Sequence, residues 1–278
     1  MPDLPVDHVA DTIASLHRTF VVALARSPGA EERNDARVQW VIGGSPAAFF
    51  NCVVRADLAA RDVDETISSS RDRFVARGVP GTWHVDATMR PVDLGQRLVD
   101  HGFTHVGDDL GMALDLARAV PTPPALPGLT IEPVGDLTGL AEWAAALAAG
   151  FEFPAAWGAW FFERCRALGF AGPAPWRHWL GRLDGRPVGT ATVLVGRAAS
   201  SLHNISTAPS ARRRGVGAAL TSAALAEARA RGHRLAVLQA SELGAPVYRR
   251  LGFQSASTTA LFRWSPGEPT TRAAHSRL

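Results

Sequence analysis

The segment from Leu202 to Gly217 reads Leu-His-Asn-Ile-Ser-Thr-Ala-Pro-Ser-Ala-Arg-Arg-Arg-Gly-Val-Gly. An extended, partly apolar stretch reaches Thr207, a proline turn follows, and an alanine-rich sequence typical of a helix begins near Gly217. Glycines at a helix start let bare backbone N–H groups approach an anion, and the helix dipole favours negative charge at that end. The segment therefore predicts a phosphate-binding turn between a strand and a helix.

Three arginines, Arg212, Arg213 and Arg214, lead directly into Gly215 and Gly217. Cations beside the positive end of a helix dipole are unfavourable unless an anion joins them. A solvated basic turn is the alternative interpretation of such a run. Here the strand, the glycines and the helix stand in register, and the pattern therefore favours an anion site.

The composition is that of an ordinary globular protein, with 46% hydrophobic and 20% charged residues among 278. This length allows one large domain or two ordinary ones. The sequence holds no lysine, so the pI of 9.6 overstates the basicity of a chain whose net charge is only +3. Nucleic acid is therefore not an expected partner, and binding of nucleic acid through the dispersed arginines is the weaker alternative.

The sequence also bounds the location of the protein and its redox chemistry. No run is long and apolar enough to span a membrane, and the first residues lack the basic and apolar regions of a signal peptide. We therefore expect a cytoplasmic protein with no membrane partner. Cys52 and Cys165 lie far apart without metal-ligand spacing, so we interpret them as reduced structural thiols and expect no metal.

Hydrophobic periodicity and turn residues divide the chain into two similar series of elements. The predicted helices span 6–26, 62–78, 93–101, 137–149, 154–168, 217–231 and 245–251. The predicted strands span 38–42, 49–54, 83–85, 110–116, 129–134, 176–183, 187–195, 200–207, 234–239 and 258–264. The segment 118–128 between the series is rich in proline, which opposes both helix and sheet. We predict domains at 1–117 and 129–264, a linker at 118–128 and a disordered tail at 265–278.

The two series match in their final portions, which suggests an internal duplication. Arg77-Gly78 and Arg231-Gly232 each end a helix, an extended segment follows, and a further helix closes in Gly102-Phe103 or Gly252-Phe253.

The two series differ where chemistry is expected. Where the second series has Arg212 to Gly217, the first has Asp62-Val63-Asp64-Glu65, whose carboxylates are predicted to satisfy a helix start and would repel a phosphate. Where the second series has Tyr248, the first has Leu98. The second series alone is therefore predicted to carry the site.

The second series resembles the GCN5-related N-acetyltransferase (GNAT) superfamily. Arg212 to Gly217 matches the family's Gln/Arg-x-x-Gly-x-Gly/Ala loop, and Pro246-Val247-Tyr248-Arg249-Arg250-Leu251-Gly252-Phe253 is similar to its closing motif. The organisation resembles tandem members whose N-terminal copy is degenerate. The resemblance implies an α/β fold of the mixed α+β type: two tandem domains, each with a central, mostly antiparallel mixed sheet flanked by helices.

The resemblance also implies roles for particular residues. Tyr248, the single tyrosine of the chain, would be the general acid that protonates the departing thiolate, although a tyrosine near a helix end is also common in cores. Ser241 stands where the family often has an asparagine that contacts pantetheine. The residues expected to bind coenzyme A are Ile205, Ser206 and Thr207 on the strand, Arg212, Arg213, Arg214, Gly215, Val216, Gly217 and Ala218 at the helix start, and Ser241.

The general base is the least determined part of the predicted site. His203, on the strand beside the acyl site, has a suitable side-chain chemistry, although a lone strand histidine is often structural. Glu152, in the loop after the first helix of the second series, lies where the family gathers substrate-binding residues. Water is the third route for the proton.

We predict an N-acetyltransferase that moves an acetyl group from acetyl-CoA to a primary amine by direct transfer in a ternary complex. The acceptor would be a small-molecule amine or a protein amine, and the protein a monomer or a homodimer. The aromatic helix 157–162 could line an acceptor pocket, or it could belong to the core. The competing hypothesis is a non-catalytic acyl-CoA-binding regulatory or partner-binding protein.

Overall fold

The computed structural model describes residues 6–45, 47–118, 122–123, 125–172 and 174–267. Its helices are α1 (Val6–Ala25), α2 (Val63–Arg77), α3 (Leu94–Asp100), α4 (Leu137–Phe151), α5 (Ala155–Leu168), α6 (Val216–Ala230) and α7 (Ala245–Arg250). Its strands are β1 (Glu31–Asn34), β2 (Val38–Ile42), β3 (Asn51–Ala56), β4 (Gly81–Asp86), β5 (Thr104–Asp115), β6 (Leu129–Pro133), β7 (Trp176–Leu183), β8 (Arg186–Val195), β9 (Ala199–Thr207), β10 (Leu235–Ala240) and β11 (Gln254–Trp264).

Every predicted helix and strand has a counterpart, and most ends agree within two residues. Strand β1 was not predicted, because Glu31–Asn34 has no apolar alternation and exposes three of its four residues. Strands β5 and β11 begin earlier than predicted, since their first residues are polar and largely exposed or half-buried. The predicted tail lies mostly outside the described residues, as do Pro121 and Pro124 of the predicted linker.

The chain forms two compact units, and their bounds do not follow chain order. Unit 1 comprises Met1–Leu16 with Met112–Ala256, and unit 2 comprises His17–Gly111 with Ser257–Leu278. The difference from the predicted 1–117 and 129–264 arises because the last strand, β11, pairs with β4 of the first series. The predicted domain bounds describe two duplicated halves of the sequence, whereas the compact units describe packing. The predicted domains therefore stay a prediction.

Unit 1 contains a mixed sheet with strands in the order β10-β9-β8-β7-β6. The pairs from β6 to β9 are antiparallel, and β9 and β10 are parallel. Helices α4 and α6 pack on β7, β8 and β9. The predicted hairpin turn is present, with Asp184 and Gly185 both at positive φ, as a two-residue turn of the primed type requires. The prediction of a mostly antiparallel mixed sheet flanked by helices is confirmed here.

In unit 2 the strands lie in the order β1-β2-β3-β4-β11 and are likewise of mixed direction. Strands β3 and β4 are parallel, and the other neighbours are antiparallel. Its core is aromatic and aliphatic and includes Phe74, Trp83, Leu98, Phe103 and Phe262. Among the helices in the described ranges, none combines the length and the apolar character needed to cross a bilayer.

The two series share local geometry at the helix ends that suggested a duplication. The Phe103 N–H donates to the Leu98 carbonyl at 3.0 Å, and the Phe253 N–H donates to the Tyr248 carbonyl at the same distance. Leu98 and Tyr248 therefore occupy equivalent places in their helices. Leu98 is fully buried in the core of unit 2, which supports a structural role for that position.

The start of α2 corrects one expectation. The Asp62 side chain accepts no hydrogen bond from the helix N–H groups. Its carboxylate instead pairs with Arg37 at 2.5 Å, and Asp64 pairs with Arg97 at 3.2 Å. Asp62 and Asp64 are thus bound by arginines, because a guanidinium offers a stronger partner than an exposed backbone N–H.

Candidate functional site

The parallel strands β9 and β10 separate at the carboxyl end of the sheet in unit 1. Their pairing runs from Leu235 opposite Ala199 to Leu238 opposite Leu202. Strand β9 then continues to Thr207 and β10 to Ala240 without extending that ladder. A gap therefore opens between two strand ends, beside the segment that was predicted to bind an acyl group.

A β-bulge interrupts β9 on its other edge. Thr190 of β8 faces Ser206, whereas Thr192 faces His203, so Asn204 and Ile205 together oppose the single residue Ala191. Asn204 has φ +52°, a left-handed conformation that asparagine adopts more readily than most residues. The bulge turns the backbone of Ile205 to Thr207 relative to the preceding part of β9.

The start of α6 carries the predicted phosphate-binding turn. Gly215 precedes the helix at φ +94°, a conformation that favours glycine, and no side chain caps the helix. By contrast, Asp136 caps α4 by accepting from the Gly139 N–H at 2.8 Å. Because the first N–H groups of a helix lack partners within it, those at the start of α6 are available to an anion.

The glycine in the first turn of α6 faces the end of β9. A Cβ atom built at Gly217 would lie 3.6 Å from Thr207 Oγ1, an ordinary contact distance. The helix start and the strand end are therefore adjacent, and a ligand bound at the turn would lie beside the gap between β9 and β10.

The three arginines of the turn have different surroundings. Arg212 donates to the carbonyl oxygens of Gly150 at 2.9 Å and Thr207 at 3.2 Å, and pairs with Glu152 at 3.0 Å. Arg213 and Arg214 are exposed and form no ion pair within the described ranges. Arg212 therefore links the turn to α4 and β9 through hydrogen bonds, whereas the guanidinium groups of Arg213 and Arg214 are available to a ligand.

Glu152 lies at the end of α4, beside the arginines of the turn. It has φ +59°, and its carboxylate is bound by Arg212. His203 lies on β9 just beyond the last residue that pairs with β10, and its Nε2 is 2.7 Å from Ser201 Oγ. Both side chains are placed near the strand end, and their assignment as bases stays a prediction.

Tyr248 lies on α7, which contacts α6. Its ring is buried against Phe253, with 5.9 Å between the centroids. Burial raises the pKa of its hydroxyl well above the usual value, so the group keeps its proton at neutral pH.

Ser241 lies on the turn between β10 and α7. Its hydroxyl accepts from the Gly244 N–H at 3.3 Å, and its carbonyl accepts from the N–H groups of Gly244 and Ala245. The side chain is therefore engaged in closing the turn, and its predicted contact with a coenzyme stays a prediction.

Three buried polar residues next to the bulge were not predicted: His178, Thr190 and Thr192, the last two of which contact the half-buried Asn204. Thr190 and Thr192 are fully buried, and His178 is 2% exposed. The signal that could have found them is the presence of polar side chains inside otherwise apolar strands, since a buried polar group needs a partner.

Comparisons with known proteins agree with this geometry. Residues 174–255 match the family model described as an acetyltransferase (GNAT) domain. No curated protein matches the sequence. Among solved structures, a GCN5-related N-acetyltransferase from Kribbella flavida is 21% identical with a TM-score of 0.70, over 92% of this chain and 96% of that one.

Two further structures extend the similarity of fold. A GCN5-related N-acetyltransferase from Sphaerobacter thermophilus is 22% identical with a TM-score of 0.59, over 76% of this chain and 71% of that one. A tandem GNAT protein from the clavulanic acid biosynthesis pathway is 16% identical with a TM-score of 0.55, over 93% and 96% of the two chains. Residues 174–255 therefore match a GNAT acetyltransferase domain, and the chain shares the fold of these GNAT structures.

Proposed function

We propose that the protein is an acyl-CoA-dependent N-acyltransferase that moves an acetyl group from acetyl-CoA to a primary amine. The uncapped start of α6 beside the end of β9 carries the proposal. Backbone N–H groups and the exposed Arg213 and Arg214 would bind the pyrophosphate there, because both the helix dipole and the guanidinium groups favour the anion.

The pantetheine arm would then lie in the gap between β9 and β10, along the backbone of Ile205 to Thr207. The bulge supports this placement, because it turns the strand's backbone groups away from a regular ladder. Ser241, at the far side of the gap on the turn after β10, would contact the same arm. The remaining residues of the turn, Arg212, Gly215, Val216, Gly217 and Ala218, would shape and hold the pyrophosphate site.

The chemical step would be direct transfer in a ternary complex. The amine nitrogen forms a bond to the thioester carbonyl carbon, the carbon–sulfur bond breaks, and the thiolate takes a proton from Tyr248. The proton released by the amine would pass to His203, to Glu152 or to water. The acceptor would be a small molecule or a protein amine, and the protein would act in the cytoplasm as a monomer or a homodimer.

Isothermal titration calorimetry with acetyl-CoA tests the coenzyme site. We expect the wild-type protein to bind and Gly217→Trp to bind at least about tenfold more weakly, because an indole would fill the helix start. The control is Thr138→Trp, an exposed position in the first turn of α4, which should bind like the wild type.

Two results would overturn the assignment: no binding by the wild-type protein, or equal binding by Gly217→Trp. Thiol release with a panel of primary amines then separates the two functions. Binding without release by any amine would favour a non-catalytic acyl-CoA-binding protein.

A further inference from the structure

A chain of hydrogen bonds crosses three strands of unit 1 behind the bulge in β9. His178 Nδ1 of β7 is 2.9 Å from Thr192 Oγ1 of β8, and Asn204 Nδ2 of β9 donates to the same hydroxyl at 3.3 Å. The Trp143 ring of α4 covers the imidazole, with 4.3 Å between the ring centroids. His178 and Thr192 are therefore buried, and the Thr192 hydroxyl links them to the half-buried Asn204 of the bulge.

A second set of hydrogen bonds holds the backbone of the same residue. Thr190 Oγ1 donates to the Asn204 carbonyl at 2.7 Å and lies 2.8 Å from Ser206 Oγ. Since the single hydroxyl hydrogen of Thr190 is used by the carbonyl, the Ser206 hydroxyl donates to Thr190 Oγ1. Asn204 is thus bound through its side chain by Thr192 and through its carbonyl by Thr190.

The left-handed backbone at Asn204 explains why such support is needed. A non-glycine residue at φ +52° is less stable there than in an extended strand, so neighbouring contacts must maintain the conformation. Loss of the bulge would shift the following residues by one position in the ladder. Every side chain and backbone N–H from Ile205 to Thr207 would then turn to the opposite direction.

Burial also fixes the state of the imidazole. Burial lowers the pKa of His178 to about 3, with the Arg177 charge as a smaller cause, so the ring stays neutral at neutral pH. A neutral His178 ring that is hydrogen-bonded to the buried Thr192 hydroxyl is suited to fixing the position of that hydroxyl. The His178 ring belongs to β7, which is separated from β9 by β8 and lies on the side of β9 opposite β10.

We propose that His178, Thr192 and Thr190 are positioning residues that hold the bulge at Asn204 and thereby aim the backbone of Ile205 to Thr207 at the acyl group. The inference rests on the proposed acyl transfer for its effect on turnover. Its structural part, the support of the bulge, is testable in the free protein.

The first test compares Thr192→Val with Thr192→Ser. Valine keeps the shape of threonine and removes the hydroxyl, so the Asn204 amide and the imidazole lose their common partner. We expect kcat in the thiol-release assay to fall about tenfold or more, with the acetyl-CoA Kd within about threefold of wild type, because small displacements at the reacting group affect the chemical step. Serine restores the hydroxyl and should restore kcat.

The matched control is Ser200→Ala. Ser200 is a fully buried residue of β9, the strand that carries the bulge, and its hydroxyl is 2.7 Å from His233 Nδ1, but it lies in the part of β9 that pairs with β10. We expect this variant to keep the wild-type kcat. Equal losses in Ser200→Ala and Thr192→Val would contradict a positioning role, because they would show a general effect of removing a buried hydroxyl.

Hydrogen exchange by mass spectrometry decides the question independently of turnover. In the free protein, Thr192→Val should accelerate exchange of the 203–207 amides at least about tenfold, with little change at 199–202. Asn204→Gly, which tolerates the left-handed backbone, serves if Thr192→Val does not fold and should show the same local increase. Unchanged exchange at 203–207 would overturn the inference, whether or not an acceptor amine is found.

Discussion

At the scale of single residues, the strongest contrast is between Tyr248 and its counterpart Leu98. Both positions end a helix in the same way, with a carbonyl that accepts from the phenylalanine N–H five residues later. Only Tyr248 adds a hydroxyl, and burial raises the pKa of that hydroxyl so that it remains protonated. A group that stays protonated at neutral pH can donate to a thiolate.

Tyr248→Phe isolates that hydroxyl. We expect kcat to fall at least about tenfold, because the leaving thiolate loses its acid, and the acetyl-CoA Kd to change less than about twofold. Phe253→Leu is the control, since it removes the ring that packs on Tyr248 while keeping the hydroxyl. Steady-state thiol release gives kcat and calorimetry gives Kd; a Tyr248→Phe enzyme as fast as the wild type would remove the acid role.

The sequence predicted Arg212 and Glu152 as site residues but not the ion pair between them. Both were predicted as site residues, for coenzyme binding and for base catalysis. Their ion pair joins residues far apart in the chain, and no spacing rule connects a helix end with a turn that follows a strand. Arg213 and Arg214 stand beside Arg212 in sequence, but only the structure shows that Arg212 is fastened to the protein.

At the scale of elements, the contact between α4 and β9 places the strand end. Gly150, in the last turn of α4, lies so close to β9 that an added Cβ would be 2.6 Å from Ser206 Cβ and 3.1 Å from the Thr207 nitrogen. Real Cβ atoms do not approach other atoms so closely, so any side chain at Gly150 must push helix and strand apart.

Gly150→Ala should therefore destabilise the protein by about 1–3 kcal/mol and weaken acetyl-CoA binding, because Gly150 also accepts from Arg212. Gly139→Ala in the first turn of the same helix meets only loose contacts, at 3.4 Å or more, and should be neutral or stabilising by up to about 1 kcal/mol. Urea unfolding and calorimetry measure both effects. Equal stabilities of the two variants would show that the helix and strand are not tightly packed.

The elements themselves were largely predictable, and the bulge was not. Turn residues and apolar periodicity located the helices and strands because these are local signals, as at Asp184-Gly185. The bulge depends on which residues of β8 face Asn204, and that register is a relation between two strands. Strand β1 was not predictable for the same reason: it is an exposed edge strand of polar residues, and it is defined by its pairing with β2.

At the scale of the whole molecule, buried histidines should make folding sensitive to acid. In unit 2, His17 Nε2 lies 2.9 Å from His84 Nδ1, and both rings are buried. Burial, with a smaller contribution from Arg18, lowers the pKa of His17 to about 3. Burial and the neighbouring His17 lower the pKa of His84 well below its usual value. In unit 1, His178 behaves similarly.

The direction of the effect follows from proton linkage. Below about pH 6.5 the unfolded chain binds protons that the folded chain does not, so each of the three histidines costs stability as the pH falls, by up to about 1.4 kcal/mol per pH unit. Asp109 opposes this, because burial and then the Asp108 charge raise its pKa to about 6, so its folded form gains protons first. Because the three buried histidines lower stability as the pH falls and Asp109 raises it, we expect a net loss of stability between about pH 6 and pH 4.

His17→Gln tests this balance, because glutamine can still donate to His84 and does not titrate. We expect the free energy of unfolding in urea to fall less steeply between pH 6 and pH 4 than in the wild type, by up to about 1.4 kcal/mol per pH unit. His8→Gln, at an exposed position of the same helix, is the control and should leave the wild-type slope unchanged. If His17→Gln and the wild type show the same slope, His17 already carries a proton in the folded state, and the neutral histidine pair of unit 2 is refuted.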